Sequence, residues 1–158
     1  MSIFVYRRKT NYYETDRMGV IHHSNYIRYF EEARTALMER LGFSYVQMEK
    51  GGVMSPVLDM HCEYRGAVRF GDTVDIAVTV TEYNGFRMRC AYRVTDVLTG
   101  ELRTTGESGH CFLTAEGRPA RLYRTMPEAH ELFRAYHEEC RAECETKEEN
   151  AWQSTQKN

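Results

Sequence analysis

The sequence predicts an α+β domain in which an antiparallel sheet of five to six strands wraps around one long central helix, with an additional C-terminal helix. Two observations indicate this: an apolar stripe at helical spacing around residue 30, and several alternating segments after residue 56. The chain of 158 residues has the size of a single domain. We therefore expect the domain over 1–126, the C-terminal helix over 127–142 and a polar, disordered tail over 143–158.

The central helix is predicted over 24–41. Residues spaced by three or four positions form its apolar face: Tyr26, Phe30, Ala33, Leu37 and Leu41. Ile27, Tyr29 and Met38 widen this face, which indicates a helix covered over much of its surface. Ser24 or Asn25 can cap its start, and Gly42 can supply the left-handed residue after its end.

Strands are predicted where apolar and polar residues alternate with a period of two. The clearest are 72–83 and 86–95, with further candidates at 3–10, 57–64 and 101–113. Asn84-Gly85 lies between the first two, and this pair favours a two-residue type I′ turn, so we expect an antiparallel hairpin there. Thr99-Gly100 indicates a second turn. The segment from Pro127 has a thinner apolar stripe and predicts a helix that packs on the outside.

Charge and composition exclude several classes of function. The formal net charge is −2, so no global positive field exists to hold nucleic acid or an anionic membrane surface. No apolar stretch approaches the roughly 20 residues that span a bilayer, and the first residues lack a signal-peptide cleavage site. We expect a cytoplasmic protein. Its five cysteines contain no C-x-x-C pair, which favours reduced thiols over a disulfide framework or a zinc cluster.

The segment just before the central helix carries the residues best suited to chemistry. Asp16, His22 and His23 lead directly into the predicted helix start. A buried helix N-terminus offers unpaired N–H groups that can polarise a carbonyl and hold an oxyanion. A carboxylate such as Asp16 could attack that carbonyl or deprotonate a water aimed at it. The alternatives are a turn-supporting Asp16 and solvated histidines, and we expect no metal site.

Several separated motifs resemble one known family in their order. These are Asp16, Gly19-Val20, His23, Asn25-Tyr26, Phe30-Glu31 and Ala33-Arg34, then Pro56-Val57, Tyr64 and Phe70-Gly71-Asp72. They resemble the signature of hotdog-fold acyl-CoA thioesterases, in the 4-hydroxybenzoyl-CoA thioesterase-like branch that includes the small Tol-Pal-associated bacterial enzymes. The likeness covers about residues 5–122. Residues 65–70 lack the Pro that many relatives carry there.

The resemblance implies roles for three residues. Asp16 corresponds to the essential carboxylate, acting as nucleophile or as general base toward water. His23 matches the position beside the thioester, where its backbone N–H would bind the oxyanion and its side chain would orient the substrate or Asp16. Tyr12 matches a nearby aromatic residue that donates a hydrogen bond or simply packs in the core. The sequence offers no G-x-S-x-G nucleophile elbow, so we interpret Ser108 as structural.

Coenzyme A carries phosphates, which a protein of this charge must bind with a local cationic cluster. Arg87, Arg89 and Arg93 share the outward face of one predicted strand and are our candidates for binding the nucleotide end. The alternative for each is a solvated arginine with a cross-strand Glu or Asp partner. Arg65, Arg69 and Arg118 are weaker candidates. We expect no cofactor.

Two other functions remain open from the sequence. One is a hotdog acyl hydratase or dehydratase, in which Asp16 and His23 would move protons at Cα and Cβ. The other is a non-catalytic module that binds acyl-CoA or an acyl carrier protein. A sheet with free edges also favours assembly, so we expect a homodimer or a homotetramer. The preferred acyl group and the natural carrier depend on pocket depth, which the sequence does not reveal.

Overall fold

The computed structural model describes the backbone of residues 3–155 and the side chains of residues 3–147. The strands are β1 (Phe4–Lys9), β2 (Val53–Met54), β3 (Val57–Tyr64), β4 (Thr73–Tyr83), β5 (Arg87–Asp96), β6 (Leu102–Cys111) and β7 (Leu113–Thr114). The helices are α1 (Asn25–Leu41), α2 (Tyr45–Lys50), α3 (Leu122–Thr125) and α4 (Pro127–Thr155). A 3-10 turn covers Tyr12–Glu14.

The main sheet has five strands in the order β1-β4-β5-β6-β3, and each neighbouring pair is antiparallel. β2 and β7 form a separate two-stranded ribbon. The predicted α+β class, with one antiparallel sheet, a long helix and a further C-terminal helix, is confirmed. The short elements α2, α3, β2 and β7 were not predicted, because segments of two to six residues carry too little periodicity to be recognised.

Helix α1 packs its apolar stripe against the inner face of the sheet, as the spacing predicted. Tyr26, Tyr29, Phe30, Ala33, Leu37 and Met38 are all buried. The Phe30 ring stacks on Tyr92 of β5, with ring centroids 4.3 Å apart and planes 11° from parallel. Gly106 of β6 is the cross-strand partner of Tyr92, and a Cβ atom there would overlap the Phe30 ring. A side chain is therefore excluded at Gly106 by the close approach of helix and sheet.

The β4–β5 hairpin forms, but its turn lies one residue later than the sequence predicted. Tyr83 pairs with Met88, and the Asn84 N–H donates to the Arg87 carbonyl, so the central residues are Gly85 and Phe86. Only Gly85 has a positive φ, of 81°, which fits a type II′ turn rather than type I′. The Asn84 side chain instead accepts hydrogen bonds from the N–H groups of Phe86 and Arg87.

Helix α4 covers the part of β4 that β1 leaves unpaired. β1 reaches only to Val78, so among the described residues the β4 edge beyond it has no neighbouring strand. The Tyr136 hydroxyl donates to the Val78 carbonyl at 2.6 Å, and the His137 ring lies 2.9 Å from the Val80 carbonyl. These contacts satisfy edge carbonyls that would otherwise be open to another strand.

Helix α4 continues to Thr155, beyond the predicted end at 142, so residues 143–155 are helical where the sequence predicted a polar tail. Ion pairs four residues apart support the first part of this extension: Arg141–Glu145 and Glu143–Lys147. Glu143 also accepts a hydrogen bond from the Ile3 N–H. The end of the predicted tail, residues 156–158, lies outside the described residues. Across the part of the chain that the structure describes, no helix is long and apolar enough to cross a membrane.

Candidate active site

A buried carboxylate, Glu14, anchors the loop that precedes α1. Glu14 is only 4% exposed and accepts hydrogen bonds from the Arg8 guanidinium, the Asn11 N–H and the Tyr29 hydroxyl. Burial opposes its ionisation, but these donors together hold the pKa of Glu14 below its ordinary value. Its carbonyl also accepts from the Asn25 side chain. The loop is therefore fixed to both β1 and the start of α1.

Asp16 lies in a tight turn that this anchor holds in place. Its carboxylate accepts a hydrogen bond from the Met18 N–H at 2.8 Å. Its N–H donates to the Val20 carbonyl, and its own carbonyl accepts from the Gly19 N–H. Gly19 has a φ of 74°, a conformation that glycine adopts without strain. The turn fixes one carboxylate oxygen by a backbone N–H and leaves Asp16 partly exposed.

The two histidines form the turn that starts α1. The His22 carbonyl accepts from the Asn25 N–H, and its ring Nδ1 lies 2.8 Å from the Ser24 hydroxyl. The sequence predicted that the Ser24 side chain could cap the helix. Instead, that side chain forms a hydrogen bond with His22 and does not cap the helix. The His23 carbonyl accepts from the Tyr64 hydroxyl of β3. Within residues 3–147, the His23 N–H has no acceptor, so this amide is available to a ligand.

Asp16 and His23 line the same cleft, of about 350 Å³. The residues around it come from the Asp16 turn, the start of α1, the end of β3 and the segment after β3: Asp16, Met18, Val20, Ile21, His23, Tyr26, Tyr64, Arg65, Gly66, Ala67 and Val68. The His23 and Tyr64 rings meet edge to face, with centroids 6.3 Å apart. The cleft therefore brings a carboxylate residue, Asp16, and a cation, Arg65, beside His23 near the N-terminus of α1.

Tyr12 lies outside this cleft. Its side chain is 73% exposed and meets the Phe70 ring edge to face at 5.5 Å. The core-packing alternative for Tyr12 is therefore wrong, because residues 12–14 form an outward turn whose only buried member is Glu14. A role for Tyr12 at the site stays a prediction.

The structure places the three predicted nucleotide-binding arginines away from Asp16 in the same subunit. Arg87, Arg89 and Arg93 lie on the outer sheet face, and none lines the cleft. Arg89 forms ion pairs with Asp59 at 3.1 Å and Glu107 at 3.5 Å, which is the cross-strand alternative. Arg65, a weaker candidate in the sequence, is the arginine that lines the cleft.

The sequence analysis missed Glu14 and its partner Arg8. Arg8 lies on β1 and forms ion pairs with Glu14 and with Glu32 of α1, while its guanidinium lies 4.0 Å from the centroid of the Tyr29 ring. A Glu two residues before Asp16 gives no signal of burial by itself, because charged residues are buried mainly when tertiary contacts pair them.

Comparison with known proteins identifies the family. A family model described as the thioesterase-like superfamily matches residues 11–142. The chain belongs to this superfamily, which confirms the resemblance to hotdog-fold thioesterases and defines the protein as an enzyme of the thioester hydrolase class. Membership of the Tol-Pal-associated branch stays a prediction.

Individual relatives agree with this assignment. The candidate acyl-CoA thioesterase YneP of Bacillus subtilis is 35% identical over 126 residues, covering 79% of this chain and 91% of that protein. The acyl-CoA thioester hydrolase YbgC of Escherichia coli O157:H7 is 27% identical over 93 residues, or 59% of this chain and 69% of YbgC. The solved structure of DHNA-CoA thioesterase from Staphylococcus aureus has 36% identity and a TM-score of 0.79, covering 83% of this chain and 88% of that chain.

Proposed function

We propose that this protein hydrolyses an acyl-CoA thioester to a free carboxylic acid and CoA, with Asp16 as the reacting carboxylate and the His23 N–H in the oxyanion hole. One observation carries the proposal: Asp16 lines the same cleft as His23, whose N–H has no acceptor among residues 3–147. The relatives named as acyl-CoA thioesterases or thioester hydrolases support the substrate class.

Two routes use the same residues. As a general base, Asp16 takes a proton from water while the water oxygen attacks the thioester carbonyl carbon. The tetrahedral intermediate then collapses, the C–S bond breaks and CoA leaves as thiolate. As a nucleophile, an Asp16 oxygen attacks that carbon and expels CoA thiolate, and water then hydrolyses the mixed anhydride. In both routes the tetrahedral oxyanion accepts a hydrogen bond from the His23 N–H. Because thiolate is a good leaving group, neither route needs a serine nucleophile.

The position of His23 at the start of α1 suits this role. The helix dipole places partial positive charge at its N-terminus, where negative charge develops on the substrate oxygen. The Tyr64 hydroxyl donates to the His23 carbonyl and so fixes the orientation of the turn. Removing one oxyanion-hole donor typically costs about 10²–10³ in kcat.

A homodimer fits the distribution of sheet edges. Helix α4 covers the open part of β4, and β1 exposes Arg7 and Lys9, since charged side chains on an edge strand disfavour pairing with another strand. β3 is the other edge of the sheet and is mostly exposed, with Val57, Leu58 and Tyr64 on its surface. We infer that two copies pair along β3. Light scattering that shows an active monomer would contradict this assembly.

In this proposal, the three arginines predicted to bind the nucleotide end of CoA act only in the assembled dimer. Arg87, Arg89 and Arg93 would bind CoA phosphates only from another subunit, since their own cleft lies elsewhere. A tetramer, a cytoplasmic location and an acyl-carrier-protein partner stay predictions from the sequence.

The hydratase alternative receives less support from the geometry. Proton transfer at Cα and Cβ would be favoured by an Asp–His pair that acts together. Among the described residues, no hydrogen bond joins Asp16 to His23, whose ring instead packs against His22 with centroids 4.0 Å apart. The non-catalytic binding module differs from the proposal only in turnover, which an assay decides.

The test measures free thiol released from a panel of acyl-CoA thioesters that vary in chain length and aromatic character. We expect turnover by the wild type, and a loss of at least about 10³-fold in kcat for Asp16→Asn, because the amide neither attacks nor accepts a proton. Asp75→Asn is the matched control, since Asp75 lies on β4 and pairs with Arg7 at 2.8 Å.

The outcomes separate the candidate functions. If the wild type and Asp16→Asn both bind acyl-CoA but neither releases thiol, the result would support the binding module. Unchanged turnover in Asp16→Asn would refute the mechanism. Single-turnover hydrolysis in ¹⁸O-labelled water distinguishes the two routes. Attack of labelled water at the Asp16 carbonyl of a mixed anhydride transfers the label to the protein, whereas a general base transfers it only to the product.

A further inference from the structure

An apolar cavity of about 230 Å³ lies between α1, α2, the sheet and α4, apart from the Asp16 cleft. Met38, Met48, Met88 and Phe133 are among its apolar walls. None of the residues that line it also lines the Asp16 cleft. The proposed hydrolysis therefore assigns no role to this cavity within one subunit.

A chain of buried polar groups runs along one wall of the cavity. The Arg34 Nη1 donates to the Tyr92 hydroxyl at 3.0 Å. The Tyr92 hydroxyl lies 2.7 Å from the Ser108 Oγ, which lies 2.7 Å from the His110 Nε2. A continuous run of hydrogen bonds therefore joins Arg34 to His110.

Arg34 is the one charged member of this chain at pH 7. Burial, with the nearby Arg34 charge, lowers the pKa of His110 to about 4, so the imidazole is neutral at pH 7. Burial likewise raises the pKa of the Cys90 thiol to about 11. Glu31 also borders the cavity, but it is exposed, whereas Arg34 is half-buried.

Arg34 keeps unused hydrogen-bonding capacity. A guanidinium has five N–H donors, and the structure shows one of them taken, by Tyr92. No carboxylate of residues 3–147 forms an ion pair with Arg34. A half-buried cation beside an apolar cavity is costly unless an anion or an acceptor meets it.

We propose that the cavity binds a small ligand with an apolar body and a carboxylate, and that Arg34 receives the carboxylate. A cavity of about 150 Å³ lined by apolar side chains holds benzene, so this larger volume has room for a substituted ring or a short branched chain. The polar chain from Tyr92 to His110 holds Arg34 in position. It is a positioning network, since Ser108 and Tyr92 are themselves buried.

The carboxylate has two chemical sources, a free acid or the far end of a dicarboxylic acyl chain. The second source rests on the proposed function. Val57 lines the cavity and Tyr64 lines the Asp16 cleft, so the two sites lie at opposite ends of β3, roughly 23 Å apart. Antiparallel pairing of two β3 edges would bring each cavity beside the other subunit's cleft.

The binding test compares 3-phenylpropanoate with 3-phenylpropanamide, which share an apolar body and differ in charge. We expect calorimetry on the full-length wild type to show the acid bound at least about tenfold more tightly than the amide, because hydrogen bonds to charged groups are the stronger ones. Arg34→Gln should abolish that preference while keeping the amide affinity. Arg28→Gln, an exposed change on the same helix, should keep the preference.

Two variants locate the probe and guard against misfolding. Cys90→Met fills the cavity and should remove binding of both compounds. Tyr92→Phe keeps Arg34 but removes the hydroxyl that positions it, so this variant should show a weaker preference for the acid over the amide. No binding of the acid by the wild type, or an acid preference that Arg34→Gln or Cys90→Met leaves unchanged, would overturn the proposal.

A turnover assay distinguishes the two sources. If the far end of an acyl chain supplies the carboxylate, adipoyl-CoA should be hydrolysed with a lower KM than hexanoyl-CoA, and Arg34→Gln should remove the difference. If adipoyl-CoA and hexanoyl-CoA have equal KM values and calorimetry still shows a preference for the acid, the ligand of the cavity is a free acid. A protein without turnover on any thioester refutes the proposed hydrolysis but leaves the calorimetric result to decide the cavity.

Discussion

Replacement of Gly106 by Ala tests the close contact between α1 and the sheet. An added Cβ at this position would lie 2.6 Å from Cζ of Phe30, closer still to its Cε2, and 3.1 Å from the His61 carbonyl oxygen. Carbon atoms pack favourably at about 3.5–4.0 Å, so the overlap with the ring is about 1 Å. Phe30 is fully buried and stacks on Tyr92, which leaves its ring no space to retreat.

We expect Gly106→Ala to lower the free energy of unfolding by an amount at the upper end of the range for overpacked cores. Extra methyl groups in a well-packed core cost about 1–3 kcal/mol, and the full burial and stacking of the Phe30 ring favour about 3 kcal/mol here. For a domain of this size, that loss lowers Tm by roughly 6–12 °C. Because α1 must shift to relieve the overlap, we also expect lower kcat through displacement of the His23 turn.

Urea denaturation and thermal melts measure the effect. Gly66→Ala is the matched control for stability alone, since Gly66 lines the Asp16 cleft. Its Cβ would meet the Arg103 side chain at 3.2 Å and the Leu102 carbonyl at 3.8 Å, and we expect a loss below about 1 kcal/mol. Combining Gly106→Ala with Phe30→Leu should show a favourable coupling energy of about 1 kcal/mol or more. A Gly106→Ala protein as stable as the wild type would refute the argument for tight helix–sheet packing.

Three further changes test other parts of the structure. Glu14→Gln should lower the free energy of unfolding by about 2–3 kcal/mol in urea titrations, because it leaves the buried Arg8 charge with less compensation. The depressed pKa of His110 makes the unfolded state bind its proton more tightly, so stability is complete above pH 6.5 and falls by roughly 3 kcal/mol as the pH drops to 4. His110→Gln should remove that part of the slope in denaturation at varied pH. Tyr136→Phe should cost about 1–2 kcal/mol in thermal melts, because it removes the hydroxyl that accepts from the Phe4 N–H and donates to the Val78 carbonyl.

Matched variants serve as controls for these changes. Glu39→Gln removes an exposed carboxylate from α1, and Tyr123→Phe removes a hydroxyl from a tyrosine that is exposed on α3. Equal losses for Glu14→Gln and Glu39→Gln would contradict the anchoring role of Glu14. A pH profile unchanged by His110→Gln would show that other groups carry the acid sensitivity.

Local patterns identified the main elements because their period reports the covered face directly. The predicted helix over 24–41 is observed as Asn25–Leu41, and the strand predicted over 57–64 has the same bounds. The hairpin prediction was wrong by one residue in its turn. The sequence pair Asn84-Gly85 favours type I′, but the pairing register of β4 and β5 decides which residues are central.

The site was only partly predictable. Asp16 and His23 lie next to the helix start, so a local motif sufficed to place both at one end of α1. The exposure of Tyr12 and the burial of Glu14 were not visible, because alternation along the chain does not indicate how an irregular loop turns. The outward face of Arg87, Arg89 and Arg93 was predicted, but the partners of Arg89 come from two other strands.

The sequence by itself determined the α+β class, the long apolar helix and the local grouping of Asp16 with His23, because helix and strand periods and short motifs depend on neighbours along the chain. Only the tertiary structure decided the ion pairs of Arg8 and Glu14, the coverage of the β4 edge by α4 and the cavity beside Arg34. These features join residues far apart in sequence, and their energies depend on distances and burial that exist only once the chain is folded.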